Sequence, residues 1–153
     1  QIKDGSLFEF TSTQNTSGFD LQLRQSGEIS VYTGDGTVNH FYVWTNSTFA
    51  VNQWYHIAVT QNRSGIKFYV NGADISTRNL YTNGNAWFSD SNSSTWNVSR
   101  IGNFYRTDVP ENFFFKGTLD DFRYYKRGLN ADEVKAIYNN GNGIESSEVI
   151  YTP

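Results

Sequence analysis

The sequence has no cysteine, which excludes disulfide bonds, thiolate zinc sites and catalysis by a thiol nucleophile. It has no run of 18 apolar residues, so no membrane-spanning helix is predicted. The formal net charge is only −3, which gives no basic surface for nucleic acid or for an anionic membrane. The motifs Gly-x-Ser-x-Gly and His-Glu-x-x-His and the phosphate-binding loop are missing as well. We therefore do not predict an enzyme.

Aromatic residues are plentiful instead, at 17% of the chain. Large rings can therefore supply most of the buried apolar area. A length of 153 residues predicts a single domain over residues 1–153. Because the chain begins with Gln1 and carries no signal peptide, we expect it to be excised from a longer precursor.

Strand patterns run through most of the sequence, and they mark the stretches 6–13, 19–23, 29–31, 41–43 and 66–70. Asn71-Gly72 predicts a type I′ hairpin turn, because both central residues of that turn need positive φ. The continuous apolar run 54–60 predicts a strand buried on both faces, and we place Trp44 and Trp54 in the core. Short strands at this spacing predict an all-β, two-sheet antiparallel jelly-roll sandwich.

Residues 115–138 predict a glycine turn, a strand over 119–126 and one short C-terminal helix over 131–139. Asn130 and Glu133 have the spacing of a capping box at the start of that helix. The adjacent acids Asp120 and Asp121 are unusual inside a strand, since aspartate is depleted there. Residues 142–153 form an extra tail with the alternation of one more strand.

Four motifs in order resemble the LamG-like jelly-roll domains of the concanavalin A-like lectin/glucanase superfamily. They are Trp-Tyr-His-Ile-Ala-Val-Thr at 54–60, Lys-Phe-Tyr-Val-Asn-Gly at 67–72, Arg-Ile-Gly at 100–102 and Phe-Lys-Gly-Thr-Leu-Asp-Asp-Phe-Arg-Tyr-Tyr at 115–125. The resemblance implies two curved sheets packed face to face and recognition of carbohydrate or protein outside the cell or at its surface. The Glu-x-Asp-x-x-Glu strand of the family's retaining glucanases is missing, and the fold alone does not fix a function.

About the first quarter of the family pattern is also missing. Those strands normally pair beside the predicted strand 119–126, so their loss leaves an open edge at Phe122 and Tyr124. We expect a strand of another copy or of a neighbouring domain to fill the edge, donated by the tail around Val149 and Tyr151 or by residues 2–10. Repeated exchange would build a filament or a surface layer. The alternatives are that the upstream strands were cut away or that the tail folds back within its own chain.

The resemblance also implies a structural calcium ion, because glucanase relatives often hold one with the acid before the aromatic-Arg-aromatic run. That role falls on Asp121, with Asp120 beside it, and makes Ca²⁺ the expected cofactor. Two carboxylates are only part of a site, since calcium takes six to eight oxygens. The alternative is that one acid pairs with Arg123 or Arg100 while the other faces solvent.

The polar stretch 77–99 holds aromatic residues that suit the flat C–H faces of sugar rings. The candidate carbohydrate-binding residues are Tyr81, Trp87, Trp96 and Tyr105. The alternative is that these rings plug the rim of the sandwich. Five glycosylation triplets begin at Asn15, Asn46, Asn62, Asn92 and Asn97, against roughly three expected by chance in a chain this rich in Asn, Ser and Thr.

The sequence thus predicts a non-catalytic structural or adhesive unit, extracellular or on the cell surface. It would assemble with other copies of itself or with neighbouring domains. The alternative function is a lectin-like, glycan-binding module of a larger secreted or surface protein.

Overall fold

The structure, a computed structural model, describes residues 4–12, 18–34, 39–62, 65–82, 97–104 and 113–142, with the backbone alone at 39–40 and 80–82. Its contacts divide the chain into two compact units. The first unit comprises Gln1–Val51 and Ser76–Asp120, and the second comprises Asn52–Ile75 and Asp121–Pro153. Two β-sheets and one short helix confirm the predicted all-β class and are consistent with a jelly-roll sandwich. The single domain stays a prediction.

Eleven strands and one α-helix are assigned in the described residues. In chain order the strands are β1 Gly5–Thr11, β2 Gly18–Leu23, β3 Ile29–Gly34, β4 Asn39–Thr45, β5 Ile57–Asn62, β6 Gly65–Val70, β7 Ala73–Ile75, β8 Thr77–Thr82, β9 Val98–Ile101, β10 Asn103–Phe104 and β11 Phe113–Phe114. The helix α1 spans Ala131–Tyr138, and a 3₁₀ turn at Asn139–Gly141 follows it. The helix lies where the capping pattern predicts it. No helix among these residues is long and apolar enough to cross a membrane.

The first unit contains an eight-stranded sheet in the order β10-β11-β1-β2-β3-β4-β8, and β9 also pairs with β1. Both edges of β1 are therefore paired with other strands. One edge pairs antiparallel with β2, and the other pairs antiparallel with β9 and, at Ser6, parallel with β11. Residues from the beginning of the chain thus lie in the middle of the sheet.

The two faces of this sheet differ because side chains alternate along each strand. Phe8, Leu21, Val31 and Val43 are successive register partners across β1 to β4 and therefore share one face. Phe8, Val31 and Val43 are buried. We call this side the apolar face, and it supplies the core of the first unit.

The second unit contains the three-stranded sheet β5-β6-β7. Asn71 and Gly72 join β6 to β7, and both have positive φ, as the hairpin pattern predicts. Phe68 and Tyr69 on β6 are fully or almost fully buried. Gly128 passes so close to β5 that an added Cβ would lie 2.4 Å from the Gln61 carbonyl oxygen.

Helix α1 begins at a complete capping box. The Asn130 side chain accepts a hydrogen bond from the Glu133 N–H at 2.9 Å, and the Glu133 carboxylate accepts one from the Asn130 N–H at 2.8 Å. Arg127 donates two further hydrogen bonds to Glu133, at 2.9 and 2.7 Å. The Arg127 guanidinium and the Asn130 N–H lower the pKa of Glu133 to about 2. Val134 is the fully buried residue of the helix.

The predicted strand 54–60 is wrong in its first half, because β5 begins at Ile57. Its partner β6 ends at Val70, opposite Ile57, so the ladder has no residue left to pair with Trp54. The Asn71 side chain instead accepts a hydrogen bond from the His56 N–H at 3.0 Å. Trp54 is 68% exposed, so its placement in the core is also wrong.

The predicted strand 119–126 is wrong as well, because no strand is assigned there. Asp121 has φ 51, in the left-handed region, and this value interrupts the extended backbone that a strand requires. Phe122 and Tyr124 in this stretch are 49% and 63% exposed.

We expect Asn130→Ala to lower the free energy of unfolding by about 1 kcal/mol, because one N–H of the first helical turn loses its acceptor. Urea denaturation followed by circular dichroism measures the change. Asn130→Ser is the matched control, since serine also caps, and it should recover most of the loss. Equal stability of the alanine variant and the parent would contradict the capping role.

Candidate functional site

The second face of the eight-stranded sheet is polar and aromatic. Glu9, Asp20, Tyr32 and Tyr42 are successive register partners across β1 to β4. A second line of partners joins Ser6, Gln22, Ser30, Trp44 and Arg78 across β1 to β4 and β8. We call this side the polar face.

A chain of hydrogen bonds runs along the polar face of β2. Ser6 donates to Asp20 at 2.6 Å, and the Gln22 amide donates to the other oxygen of the same carboxylate. Arg24 donates in turn to the Gln22 carbonyl oxygen. Asp20, Gln22 and Arg24 are two residues apart, so their side chains point the same way. The buried carboxylate is thereby linked to the Arg24 guanidinium.

Asp20 and Glu9 are the most deeply buried of the described carboxylates on this face. Burial raises the pKa of Asp20 to about 7, although the hydrogen bonds from Ser6 and Gln22 oppose the rise. Glu9 is fully buried, and its carboxylate pairs with Arg100 on β9. Ser6 on β1 donates to Asp20 on β2, and Arg100 on β9 pairs with Glu9 on β1. These contacts between strands help to fix the pairing of β1, β2 and β9.

Trp44 is half-buried on the polar face and is not in the apolar core, so that prediction is wrong. The guanidinium carbons of Arg24 and Arg78 each lie 5.0 Å from the centre of its ring. Tyr42 packs edge-on against it with ring centres 5.6 Å apart. Cation–π contacts of this kind contribute about 0.5–2 kcal/mol each. They hold the indole in a fixed orientation.

The turn between β2 and β3 completes the surroundings of Trp44. Gly27, with φ 88, allows the reversal, and the Arg24 N–H donates to the Glu28 carbonyl oxygen at 2.8 Å. The Gln25 N–H donates to the Asp4 carboxylate, which ties the chain before β1 to this turn.

Between these elements lies an open groove of about 420 Å³. It is lined by Asp4, Arg24, Gln25, Ser26 and Trp44. The groove is shallow and largely open to solvent, unlike the enclosed clefts that bury most of a small ligand. We call this feature the Trp44 groove.

The charges at the Trp44 groove are paired with one another. Arg24 lies 3.3 Å from Asp4, and Arg78 lies 2.6 Å from Glu28. A hydrogen bond from Ser26 and the ion pair with Arg78 lower the pKa of Glu28. The groove therefore combines an aromatic ring with hydrogen-bonding groups of both kinds and without a large excess of one charge. Such a set suits a neutral ligand that is rich in hydroxyl groups.

The candidate carbohydrate-binding residues fall mostly outside the described residues. This applies to Trp87, Trp96 and Tyr105. The backbone of Tyr81 lies in β8 opposite Tyr42. Their role in sugar binding stays a prediction.

The acids Asp120 and Asp121 are exposed. Asp121 accepts a hydrogen bond from the Arg123 guanidinium at 2.7 Å, which is the arrangement weighed against calcium binding. Over the part of the chain that the structure describes, no three His, Asp or Glu side chains come together to hold a metal ion. These residues alone do not make up the oxygen-rich ligand set of calcium, and the Ca²⁺ site stays a prediction.

Some of the remaining predicted residues lie within the described part of the chain, and the others lie outside it. Asn46, Asn62 and Asn97 are exposed, as glycan attachment requires, whereas Asn15 and Asn92 lie outside the described residues. Val149 and Tyr151, the proposed donor residues, also lie outside them. Glycosylation and assembly stay predictions.

The sequence analysis missed the Trp44 groove, although one signal for it was present. Alternation along the strand places Trp44 on the side opposite the apolar residues Phe41 and Val43. The same alternation places Gln22 and Arg24 on the side of the sheet opposite Leu21 and Leu23. Only the pairing of strands brings Arg24 and Arg78 to the same indole.

A sequence profile, a curated protein and a solved structure are similar to this chain. The sequence profile Laminin_G_3, of the concanavalin A-like lectin/glucanases superfamily, matches residues 3–135. Botulinum neurotoxin type X of Clostridium botulinum is 27% identical over 147 residues, which cover 90% of this chain and 10% of the toxin. The crystal structure of an S-layer domain-containing protein from Clostridium thermocellum gives a TM-score of 0.45 at 24% identity, covering 90% of this chain and 64% of that one. The chain therefore spans about a tenth of the toxin's length.

We expect the free energy of unfolding to fall as pH rises from 4 to 8. The pKa of Asp20 in the folded chain, about 7, lies above its ordinary value of 3.8, so its contribution is present in full below pH 3.8 and is lost as pH rises through about 7. At about 1.4 kcal/mol per pKa unit the loss is roughly 4 kcal/mol. Urea denaturation at several pH values measures it.

Asp20→Asn should flatten this pH profile, because the amide has the shape of the carboxyl group and does not ionise. Asp74→Asn is the control, since Asp74 is an exposed acid paired with Lys67, and it should leave the profile unchanged. Identical profiles for the parent and the Asp20 variant would rule out Asp20 as the source.

Proposed function

This chain belongs to the Laminin_G_3 family of the concanavalin A-like lectin/glucanases superfamily, and we propose that it is a non-catalytic recognition module that binds carbohydrate in the Trp44 groove. The observation that carries the proposal is the fixed indole of Trp44 beside the paired charges of Asp4 and Arg24. The groove lies in the first unit and draws only on described residues.

The chemistry of the groove matches that of a sugar. The C–H faces of a pyranose ring pack against an aromatic plane or edge, while neighbouring hydroxyl groups need both donors and acceptors. Arg24 and the Gln25 amide can donate, and the Asp4 carboxylate can accept. Because the ion pairs and the cation–π contacts already hold these groups in place, little side-chain entropy would be lost on binding.

We further propose that the module works outside the cell or on its surface, as part of a secreted or surface protein. Membership of a lectin superfamily and the likeness to one part of a neurotoxin support this location. The absence of glucanase and other catalytic motifs supports the non-catalytic assignment.

Glycan-array screening followed by calorimetry with the best-binding glycan tests the proposal. We expect Gln25→Ala and Trp44→Phe each to weaken binding at least tenfold, because one removes a polar contact and the other shrinks the aromatic surface. The Gln25 side chain is exposed, so its removal should leave the fold intact.

Matched controls separate the groove from other surfaces. Gln53→Ala and Trp54→Phe change the same residue types at exposed positions outside the groove and should retain full affinity. Trp87→Ala tests the loop predicted from the sequence: loss of binding in this variant alone would move the site from the groove to that loop. No binding to any glycan would contradict the proposed function.

Assembly with other copies is a second candidate function, favoured by a different observation. Phe122 and Tyr124 are exposed apolar side chains in a stretch without assigned secondary structure. We propose that residues 122–126, the aromatic segment, receive a strand by pairing of main chains, and that strands exchanged between copies build a filament or surface layer.

We expect the particle mass to rise as the chain concentration approaches the millimolar range, where exchange between copies competes with contacts within one copy. Analytical ultracentrifugation measures the mass. Tyr124→Lys should shift the material to monomer, because it places a charge within the receiving segment. Val51→Lys, at another exposed apolar side chain, should not. Monomer at every concentration would rule out assembly.

A further inference from the structure

The polar face contains a titratable group that lies beneath the proposed glycan site without lining it. Asp20 is 2% exposed, and its carboxyl group lies at one end of the hydrogen-bond chain that leads through Gln22 to Arg24. The other end of that chain is in the Trp44 groove, because Arg24 lines the groove and lies over the indole. A buried carboxyl group is thus connected to the surface that is proposed to bind sugar.

The direction of the hydrogen bonds in this chain suits an ionised carboxylate. Such a group only accepts, and Ser6 and the Gln22 amide nitrogen each donate to one of the Asp20 oxygens. Because the Gln22 nitrogen faces Asp20, the Gln22 carbonyl oxygen faces Arg24 and accepts from its guanidinium. A guanidinium has donors only, so this oxygen supplies an acceptor that positions Arg24.

Protonation of Asp20 disturbs this chain by either of two routes, because a protonated carboxyl group is itself a donor and needs an acceptor. If the Gln22 amide turns over to accept, its nitrogen faces Arg24, and two donors oppose each other. If the Ser6 hydroxyl accepts, its own hydrogen loses the Asp20 oxygen in a fully buried position. Hydrogen bonds to a charged acceptor are also roughly twice as strong as neutral ones, so the bond from Gln22 weakens on either route.

The surroundings of Asp20 set the pH range in which this change occurs. Burial raises the pKa of Asp20 to about 7, with Glu9 on β1 adding to the rise and Arg24 on its own strand opposing it. Tyr32 is the register partner of Asp20 on β3, and Arg100 on β9 pairs with Glu9. The carboxyl group therefore gains or loses its proton close to neutral pH.

The other acid of known shift at the groove keeps its charge over that range. Ser26 and Arg78 lower the pKa of Glu28, so the ion pair between Glu28 and Arg78 stays intact near neutral pH. The chain from Asp20 to Arg24 is thus the part of the groove's surroundings that responds to a proton on a buried group.

We propose that ionisation of Asp20 tightens glycan binding in the Trp44 groove by holding Arg24, through Gln22, in the position that contacts the sugar. The proposal rests on the proposed function and adds that pH regulates the same site. Because coupling between two binding events is reciprocal, glycan binding also favours loss of the Asp20 proton. The module therefore binds more tightly at neutral or slightly alkaline pH than in an acidic medium.

Calorimetry at pH 5 and pH 8 tests the proposal, with the neutral oligosaccharide that binds best in the array screen. We expect the affinity of the parent to rise by about fivefold or more over this range. Asp20→Asn should bind equally well at both pH values, because its amide does not ionise. Partial unfolding does not imitate this result, since the same ionisation lowers stability as pH rises while it raises affinity.

Two histidine variants control for other groups that titrate in this range. Histidine is the side chain whose charge ordinarily changes between pH 5 and 8. His40→Gln on β4 and His56→Gln in the second unit should each keep the pH dependence of the parent. Loss of the dependence in a histidine variant, together with its retention in Asp20→Asn, would overturn the proposal.

Nuclear magnetic resonance of the free protein provides a readout that needs no glycan. We expect the Trp44 indole N–H signal and the side-chain N–H signals of Gln22 and Arg24 to shift with pH at one common midpoint. Asp20→Asn should abolish these shifts. The same substitution should leave the indole signal of Trp54, outside the groove, unchanged at every pH.

Failure of the proposal and failure of the proposed function give different results. If the parent binds the oligosaccharide equally well at pH 5 and pH 8, the regulation is overturned and the proposed function stands. If no glycan binds at either pH, the proposed function fails, and its regulation fails with it. Groove signals that do not titrate with Asp20 in the free protein would overturn the connection from the buried carboxyl group to Arg24.

Discussion

The pairing of β2 between β1 and β3 is the constraint on which the Trp44 groove depends. A slip of one residue would turn Asp20, Gln22 and Arg24 towards the apolar face and would expose Leu21 and Leu23. The buried hydrogen bond between strands opposes such a slip, because Asp20 would lose its Ser6 partner on β1. The Asp20 carboxyl group therefore helps to specify the register. The hydrogen bonds that link Ser6, Asp20, Gln22 and Arg24 therefore determine the geometry of the groove more than the turn between β2 and β3 does.

Much of the fold could be predicted from the sequence, because alternation, turn residues and helix caps act locally. The strands around Phe8, Leu21, Val31 and Val43, the Asn71-Gly72 turn and the capping box are all of this kind. Trp54 shows the limit of such reasoning. An apolar run predicts burial only if a partner strand extends beside it, and β6 ends too early.

The candidate site was harder to predict, since its members meet only through pairing. Arg24 and Arg78 are far apart in sequence and reach the same indole from opposite sides of β4, by way of β2 and β8. Local patterns contain no information on which strands become neighbours. The resemblance to a family predicted a strand through Asp121, but the positive φ of this residue interrupts the extended backbone.

The position of β1 in the middle of its sheet has a consequence for the order of folding. Residues near the start of the chain pair with Arg100, Ile101 and Phe114, so the sheet combines hairpins of short range with contacts that span about a hundred residues. Contacts of long range close large loops and slow the folding of β proteins. During synthesis, β1 to β4 can form a meander early, but one edge of β1 stays open until β9 and β11 have left the ribosome. The completion of that edge, rather than the growth of the meander, should then set the pace at which the sheet becomes native.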